Sequence, residues 1–218
     1  PIQTGVTEGA IDPLRAAVLR GFVMDRDGLP LPGAVVTING HPEYGHTMSR
    51  ADGRFALVVN GGGPLTVDFE RSGHLPGQRR VHVEWRSWHT VPDLALIPLD
   101  AQVTAVDLTL AMNMQVAQGS QVTDADGTRQ ATVLFPQGTT AMMRMPDDSM
   151  VPLSDLSVRA TEYTVGDTGP AAMPGELPPN SAYTYAVELS VDEAIQAGAE
   201  AVEFDTPIPF YVDNFLGF

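Results

Sequence analysis

LRGFVMDRDGLPLPGAVVTINGHPEYGHTMSRADGRFALVVNGGGPLTVDFERSGHLP, residues 19–76, is the stretch that decides the fold. It consists of short apolar runs separated by Asp-Gly, Pro-Gly and Gly-Gly-Gly turns. Within one run Phe55, Leu57 and Val59 alternate with their neighbours, as in a strand that buries one of its faces. The stretch therefore predicts a β-sandwich module.

The first half of the chain carries seven candidate strands at the spacing typical of a sandwich. The predicted strands are Ala16–Met24, Ala34–Asn39, His46–Arg50, Arg54–Val59, Leu65–Glu70, Gln78–Trp85 and Asp93–Ile97. We interpret Asn60-Gly61-Gly62-Gly63 as a tight hairpin, because its glycines tolerate positive φ angles. Alternation in the strand that ends at Trp85 places this tryptophan in the core.

The succession of predicted strands is interrupted at Pro98-Leu99-Asp100, where we predict a domain boundary. A second β-rich half begins beyond it. The predicted strands there are Gln115–Asp124, Thr128–Phe135, Ala141–Met145, Leu156–Tyr163, Ala182–Ser190, Ala201–Phe204 and Ile208–Val212. The helix we predict begins at Ser190, whose hydroxyl forms a capping box with Glu193, and ends at Gly198. Residues 166–180 carry four prolines and read as a long ordered loop.

Composition excludes several classes of function. The chain has 218 residues, no cysteine, and 27 acidic against 12 basic residues, for a formal net charge of −15. The absence of cysteine excludes thiolate chemistry, and because every basic residue is arginine, Schiff-base and phosphate-loop lysine chemistry are excluded as well. The acidic excess opposes binding to nucleic acid and anionic lipid, and no apolar run approaches the roughly 18 residues of a membrane span. Because Pro1 follows no leader, we expect the chain to be a fragment of a larger protein.

The order of the motifs resembles a known family. Leu19-Arg20-Gly21-Phe22-Val23, Asp25 to Gly33, Thr37 and Asp52-Gly53-Arg54-Phe55 are similar to the carboxypeptidase regulatory-like, or transthyretin-like, sandwich. More narrowly, HPEYG, SRADG and VNGG resemble the corresponding domain of teneurins and of bacterial Rhs or YD-repeat proteins. Second-half segments such as VTDADGTRQATVLFPQGTTAMM, VRATEYTVG and YVDNFLGF are similar to the region C-terminal to that domain in the bacterial proteins.

This resemblance implies the fold class and the domain limits. We expect an all-β protein of two consecutive β-sandwich domains, the first prealbumin/transthyretin-like and Ig-like, with one short helix in the second. The limits are an N-terminal extension at 1–14, the transthyretin-like sandwich at 15–100 and a plug-like β domain at 101–218. In the family the pair precedes a shell of YD-repeat hairpins, and the plug closes one end of it. No YD repeat occurs in this sequence.

Several motifs resemble metal-binding or catalytic sites. His41, Glu43 and His46 could bind zinc, but a spacing of five between the histidines is not a ligand pattern, and a surface loop is the preferred reading. Asp25-Arg26-Asp27-Gly28 and Asp124-Ala125-Asp126-Gly127 resemble calcium loops but lack the further ligands, so we read both as hairpin turns and keep calcium as an alternative. The Asp167-Thr168-Gly169 triplet of aspartic proteases has no second copy.

The resulting hypothesis is a non-enzymatic module without a cofactor, from a secreted or cell-surface bacterial protein. Its predicted partner is the YD-repeat shell of the same polypeptide, contacted by the methionine-containing surface of residues 103–150, with Met112 and Met114 in its first part, and by an aromatic tail. The alternative is a module that recognises a cell-surface glycan or protein. The predicted contact residues are Tyr44, Trp88, Phe210, Tyr211, Phe215 and Phe218.

Overall fold

The computed structural model describes residues 2–111, 113–166, 168–176 and 184–215. It divides the chain into two compact units, here called unit 1 (1–98 with 164–184) and unit 2 (99–163 with 185–218). Almost all regular structure in the described residues is β-strand, and their one α-helix is short. The predicted all-β class is thereby confirmed. Residues 164–184 belong to unit 1, which the predicted limits of 15–100 and 101–218 did not anticipate.

Unit 1 is a sandwich of two sheets. Its strands are β1 (Gln3–Thr4), β2 (Ala16–Met24), β3 (Val35–Ile38), β4 (His46–Met48), β5 (Arg54–Asn60), β6 (Gly63–Glu70), β7 (Gly77–Val83), β8 (Trp88–Thr90) and β9 (Leu94–Ala95). One sheet has the order β1-β4-β3-β6-β7, with every pair antiparallel. The other has the order β5-β2-β8, in which β8 and the short β9 both run parallel to β2.

The core of unit 1 lies between these sheets. Phe55 and Leu57 of one sheet and Val67 and Phe69 of the other belong to one buried cluster, as their alternation predicts. The rings of Phe55 and Phe69 meet in a T-shaped arrangement across the sandwich, with centroids 5.4 Å apart. Aromatic pairs favour this geometry, so the contact adds to the apolar burial that holds the sheets together.

The predicted hairpin at Asn60-Gly61-Gly62-Gly63 is wrong. Strands β5 and β6, which it joins, lie in different sheets, so the turn carries the chain across the sandwich. Glycine is needed in this turn because a side chain would collide with neighbouring atoms, and because the backbone of Gly62 has a positive φ. A Cβ on Gly61 would lie 2.4 Å from the carbonyl oxygen of Glu84, and Gly62, at φ +118°, would meet the indole of Trp85.

Trp85 is not in the core, where alternation predicted it. Strand β7 ends at Val83, two residues earlier, and Trp85 is 57% exposed. The period-two rule fails because the chain leaves the sheet before it reaches this residue.

A buried arginine fastens the returning segment to unit 1. Residues 169–172 form a 3₁₀ turn, and the guanidinium of Arg79 on β7 donates to the carbonyl oxygens of Ala171 and Met173 at 2.9 and 3.0 Å. The backbone N–H of Gln78 donates to the carbonyl of Pro174 at 2.7 Å. The edge of β7 is thus covered by a segment more than 90 residues away in sequence.

The described residues of unit 2 form four small sheets and one helix. Its elements are β10 (Thr104–Asp107), β11 (Met114–Gln118), β12 (Val122–Asp124), β13 (Gly127–Arg129), β14 (Ala131–Pro136), β15 (Ala141–Arg144), β16 (Met150–Leu153), β17 (Asp155–Glu162), β18 (Val187–Val191), α1 (Asp192–Ala197), β19 (Ala201–Phe204) and β20 (Phe210–Val212). The sheets have the orders β10-β17-β18, β11-β14-β20, β12-β13 and β16-β15-β19.

Two long strands predicted in unit 2 are each divided. The prediction at 115–124 becomes β11 and β12, and the prediction at 128–135 becomes β13 and β14. The first break falls at Gly119, where a Cβ would lie 2.6 Å from the carbonyl oxygen of Ala160, and at Ser120, whose N–H donates to Asp100. Side-chain partners from elsewhere in the fold thus end the strand, which a local pattern does not reveal.

The predicted capping box is wrong, whereas the predicted helix end is confirmed. Helix α1 follows Val191 without a side-chain cap, and Ser190 lies in β18. Glu193 instead accepts a hydrogen bond from the N–H of Ser157 at 2.8 Å. Gly198 takes the left-handed conformation that closes the C-terminus. Tertiary pairing of Glu193 with β17 has replaced the local cap.

Candidate functional site

The predicted contact residues fall in different environments. Tyr44 ends a 3₁₀ turn at 42–44 and lies in the core of unit 1, 5% exposed, with its ring stacked on His41 at 5.3 Å. Trp88 on the edge strand β8 is 62% exposed. Tyr44 is therefore unavailable to a partner, and the structure does not combine it with Trp88 into one surface. Phe218 lies outside the described residues.

Trp88 is accompanied by a cation that the sequence analysis missed. The guanidinium carbon of Arg20 on β2 lies 4.2 Å from the centroid of the indole ring. Arg20 and Trp88 meet because β8 runs parallel to β2, with Val18 opposite Trp88 and Arg20 two residues further on. Nothing in the local sequence signals this parallel pairing, since β2 and β8 are about 70 residues apart.

The aromatic tail does not present one common face. Val133 of β14 is opposite Phe210, and Thr132 is opposite Tyr211, so the two aromatic side chains project to opposite sides of the sheet. Tyr211 is 51% exposed on the outer side. Phe215 instead packs over Arg129, a buried arginine of unit 2.

Sheet β11-β14-β20 has an apolar outer face. Val116 is opposite Leu134 and Met114 is opposite Pro136, so these side chains share the face of Tyr211. Met114 and Val116 are exposed there. The opposite face of the same sheet, with Ala117, Val133 and Phe135, belongs to the core of unit 2. The sheet is thus apolar on both sides, and Met112 of the predicted methionine-containing surface lies outside the described residues.

Arg129 lies at the centre of a buried cluster of charged side chains in unit 2. Its side chain is 1% exposed, and both terminal nitrogens donate to the carboxylate of Asp124, each at 2.8 Å. Nε also donates to Oε1 of Glu162 at 2.8 Å, and the ring of Phe215 lies 4.8 Å from the guanidinium carbon. The hydrogen bond from Arg129 lowers the pKa of Asp124, and burial raises the pKa of nearby Tyr185 to about 12.

The same cluster includes Asp124 of the candidate calcium loop at residues 124–127. Strands β12 and β13 pair there through a two-residue loop, so the predicted hairpin is confirmed. Both oxygens of Asp124 accept hydrogen bonds from Arg129, so this carboxylate already has a cationic partner within the protein. At the other candidate loop, Asp25 accepts from the N–H groups of Asp27 and Leu29, as in a turn.

The histidine loop also has internal partners. His41 and Glu43 are hydrogen-bonded at 2.9 Å, which lowers the pKa of Glu43, and His46 is hydrogen-bonded to Thr4 at 3.0 Å. In the described parts of the chain, no three His, Asp or Glu side chains cluster in a metal-binding arrangement. In the same parts, no helix is long and apolar enough to cross a membrane. Asp167 lies outside the described residues.

Comparison with known proteins agrees with the geometry of unit 1. Residues 11–96 match the family model "Teneurin TTR-like domain". The chain is 38% identical to mouse (Mus musculus) Teneurin-3 over 94 residues, which are 43% of this chain and 4% of that protein. It is 30% identical to human (Homo sapiens) Teneurin-1 over 159 residues, which are 72% of this chain and 6% of that protein. The chain thus spans a small part of these relatives' length.

Likeness to solved structures is weak. 3-Chlorocatechol 1,2-dioxygenase from Rhodococcus opacus 1CP has a TM-score of 0.33 and 12% identity, over 45% of this chain and 66% of that chain. A likeness of this size supports no inference about fold or chemistry. The family match, the pattern of motifs and the two-sheet sandwich agree that residues 11–96 are similar to the teneurin TTR-like domain.

Proposed function

We propose that this chain is a non-catalytic structural and interaction module of a longer, secreted or surface-displayed YD-repeat polypeptide. In this role unit 2 packs against, or seals, a neighbouring β-shell of the same polypeptide. The observation that carries the proposal is the outer face of sheet β11-β14-β20. The resemblance of the second half to the bacterial Rhs proteins supports a bacterial source.

The chemistry of that face favours packing over exposure to water. An antiparallel sheet with one solvated face normally alternates apolar and polar residues. Here the positions on that side of the sheet are Met114, Val116, Gln118, Thr132, Leu134, Pro136 and Tyr211, and none of them is charged. Met114, Val116 and Tyr211 are exposed among them. Exposed apolar side chains on one sheet face favour a contact site, and flexible methionine adapts to an irregular partner.

The size of the relatives supports the same proposal. The matched part is 4% of mouse Teneurin-3 and 6% of human Teneurin-1, so in those proteins it is one element among many. A module in that position contributes through contact with its neighbours. Its outer sheet face is then covered in the longer polypeptide and open when the 218 residues stand alone.

Thiol labelling tests this difference, since the chain has no cysteine of its own. Val116→Cys places a thiol on the outer face, and mass spectrometry of the peptide measures its labelling. We expect labelling to be rapid in the 218-residue chain and several-fold slower in the longer polypeptide. Ile195→Cys, on an exposed position of α1, is the control and should label equally in both. Equal rates at residue 116 would contradict the proposal.

A second candidate function is recognition of a glycan or protein by unit 1. The observation in its favour is the exposed indole of Trp88 with Arg20 stacked against it. Exposed tryptophan is enriched at binding surfaces because its large ring buries much area with little loss of entropy. Loss of ligand in Trp88→Ala, with unchanged thiol protection at residue 116, would separate this function from packing.

A further inference from the structure

Unit 1 has a cleft of about 410 Å³ on the outer face of sheet β5-β2-β8. Arg20 is opposite Ala56 on one side and Thr90 on the other, and Phe22 is opposite Arg54. Because directly paired residues project to one face, Arg20, Arg54 and Thr90 lie on the same face of the sheet, away from the core, and all three line the cleft. Arg50, from the turn that precedes β5, completes the basic lining.

The charge in this cleft is opposite to that of the whole chain. Three of the 12 basic residues line it, facing Asp93, in a protein of net charge −15. Across the part of the chain that the structure describes, no carboxylate lies within 4 Å of the guanidinium groups of Arg20 or Arg54, and Arg50 is 3.7 Å from Asp52. Two guanidinium groups are thus left to pair with an anion, and carboxylates suit their forked geometry.

Trp88 borders the cleft through Arg20. The guanidinium of Arg20 lines the cleft and also stacks on the indole, so an anion held by Arg20 lies beside an exposed aromatic ring. Aromatic faces bind apolar surfaces of saturated rings, such as the C–H face of a pyranose. The combination of a carboxylate-binding pair with an aromatic platform and the Thr90 hydroxyl fits a carboxylated sugar better than an acidic peptide.

We propose that this cleft binds a single carboxylated sugar unit, with its carboxylate on Arg20 and Arg54 and its ring against Trp88. The inference rests on the second candidate function, recognition by unit 1. The net charge of the protein restricts the ligand further. A polyanion is repelled over a distance of about 10 Å at 0.1 M salt, whereas one acidic unit in an otherwise neutral glycan meets mainly the local arginines.

A glycan array probed with the 218-residue chain tests the proposal. The array carries sialic-acid and uronic-acid oligosaccharides beside neutral oligosaccharides of the same backbone, and tetraglutamate serves as the peptide arm. We expect binding to the carboxylated sugars alone, weakened by salt. Arg54→Gln should lower affinity about tenfold, which corresponds to about 1.4 kcal/mol. Arg80→Gln, an exposed arginine on β7 in the other sheet, is the matched control and should have no effect.

Trp88→Ala tests the platform, with the exposed Trp85→Ala as its control. We expect only the change at position 88 to weaken binding. Equal affinity for acidic and neutral glycans would overturn the carboxylate assignment while leaving recognition in place. An affinity for tetraglutamate equal to that for the carboxylated sugars would overturn the assignment of the ligand as a sugar. Absence of binding in every arm would overturn both this inference and recognition of glycans by unit 1.

Discussion

Two buried arginines show how differently the two units are held together. Arg79 in unit 1 is 3% exposed and donates to the backbone carbonyls of Gln78, Ala171 and Met173. Arg129 in unit 2 is buried as deeply, but it faces the carboxylates of two acidic residues. The first arginine fixes a segment of backbone to a sheet edge. The second neutralises charges that would otherwise destabilise the interior.

The apolar cores differ in the same sense. Among the described residues, the buried cluster of unit 1 contains 17 side chains and that of unit 2 contains 10. With less apolar burial, unit 2 depends more on its ion pairs, which include Arg159 with Asp192 at 2.6 Å. Charge changes should therefore destabilise unit 2 more than unit 1.

Arg129→Met gives the largest expected effect. It leaves Asp124 and Glu162 without their cation, and breaking a buried pair in this way typically costs about 3–5 kcal/mol. Urea unfolding monitored by circular dichroism measures the loss, and amide hydrogen exchange should accelerate in β12, β13 and β17. Adding Glu162→Gln removes one stranded carboxylate and should restore part of the stability. A loss below about 1 kcal/mol would mean that the cluster behaves like a surface pair.

Arg79→Met should destabilise unit 1, because it leaves the carbonyl groups of Ala171 and Met173 without this donor. The expected loss is about 1–3 kcal/mol, the penalty for unsatisfied buried polar groups. Its distinctive sign is faster hydrogen exchange in residues 168–176, the segment that Arg79 fastens. The adjacent, exposed Arg80→Met is the control and should leave exchange unchanged. If residues 168–176 exchange at the same rate without Arg79, the segment is held by other contacts.

As the pH falls, unit 2 should lose stability before unit 1 does. This loss should be smaller than the one caused by Arg129→Met. Hydrogen bonds lower the pKa of Asp107, Asp124, Asp147 and Asp205 in unit 2, and of Glu43 in unit 1. A carboxyl with a lowered folded pKa stabilises the protein above its unfolded pKa, about 3.9 for Asp, and this contribution disappears as the pH falls through the folded pKa. Protonation removes a charge without stranding one, since Arg129 keeps Glu162.

Unfolding midpoints measured between about pH 6 and pH 2 test this order. Fluorescence of Trp85 and Trp88, which both lie in unit 1, reports on that unit, and exchange in β12 and β13 reports on unit 2. Asp124→Asn should flatten the acid dependence of unit 2 and leave that of unit 1 unchanged. Loss of the tryptophan transition first would reverse the comparison.

The two units also differ in how well their structure could be predicted from the sequence. Alternation at Phe55, Leu57, Val67 and Phe69 predicted their burial because each strand of unit 1 has one apolar face. The sequence pattern did not reveal that Asn60–Gly63 crosses between sheets, because hairpins and crossovers use the same residues. For the candidate site, exposure of Trp88 was anticipated, whereas its contact with Arg20 depends on a parallel pairing between distant strands.

In unit 2 the errors come from tertiary partners. Glu193 satisfies a cap pattern locally, yet it pairs with Ser157. Asp124 satisfies a calcium-loop pattern locally, yet it pairs with Arg129 across the hairpin and through it with Glu162. Short polar motifs are thus least predictive where pairs of arginine and carboxylate side chains are part of the interior, as around Arg129 in unit 2.

Arg144→Gln gives the smallest expected effect and shows where this dependence on charge ends. Arg144 contacts Glu200 at 2.6 Å and Glu203 at 3.1 Å, but all three side chains are substantially exposed. Water and salt screen such pairs, so the midpoint of thermal unfolding should not change at physiological salt and should fall only slightly at low salt. A marked decrease that persists at high salt would mean that the acidic groups around Arg144 act as those around Arg129 do, and that unit 2 depends on ion pairs at its surface as well as in its interior.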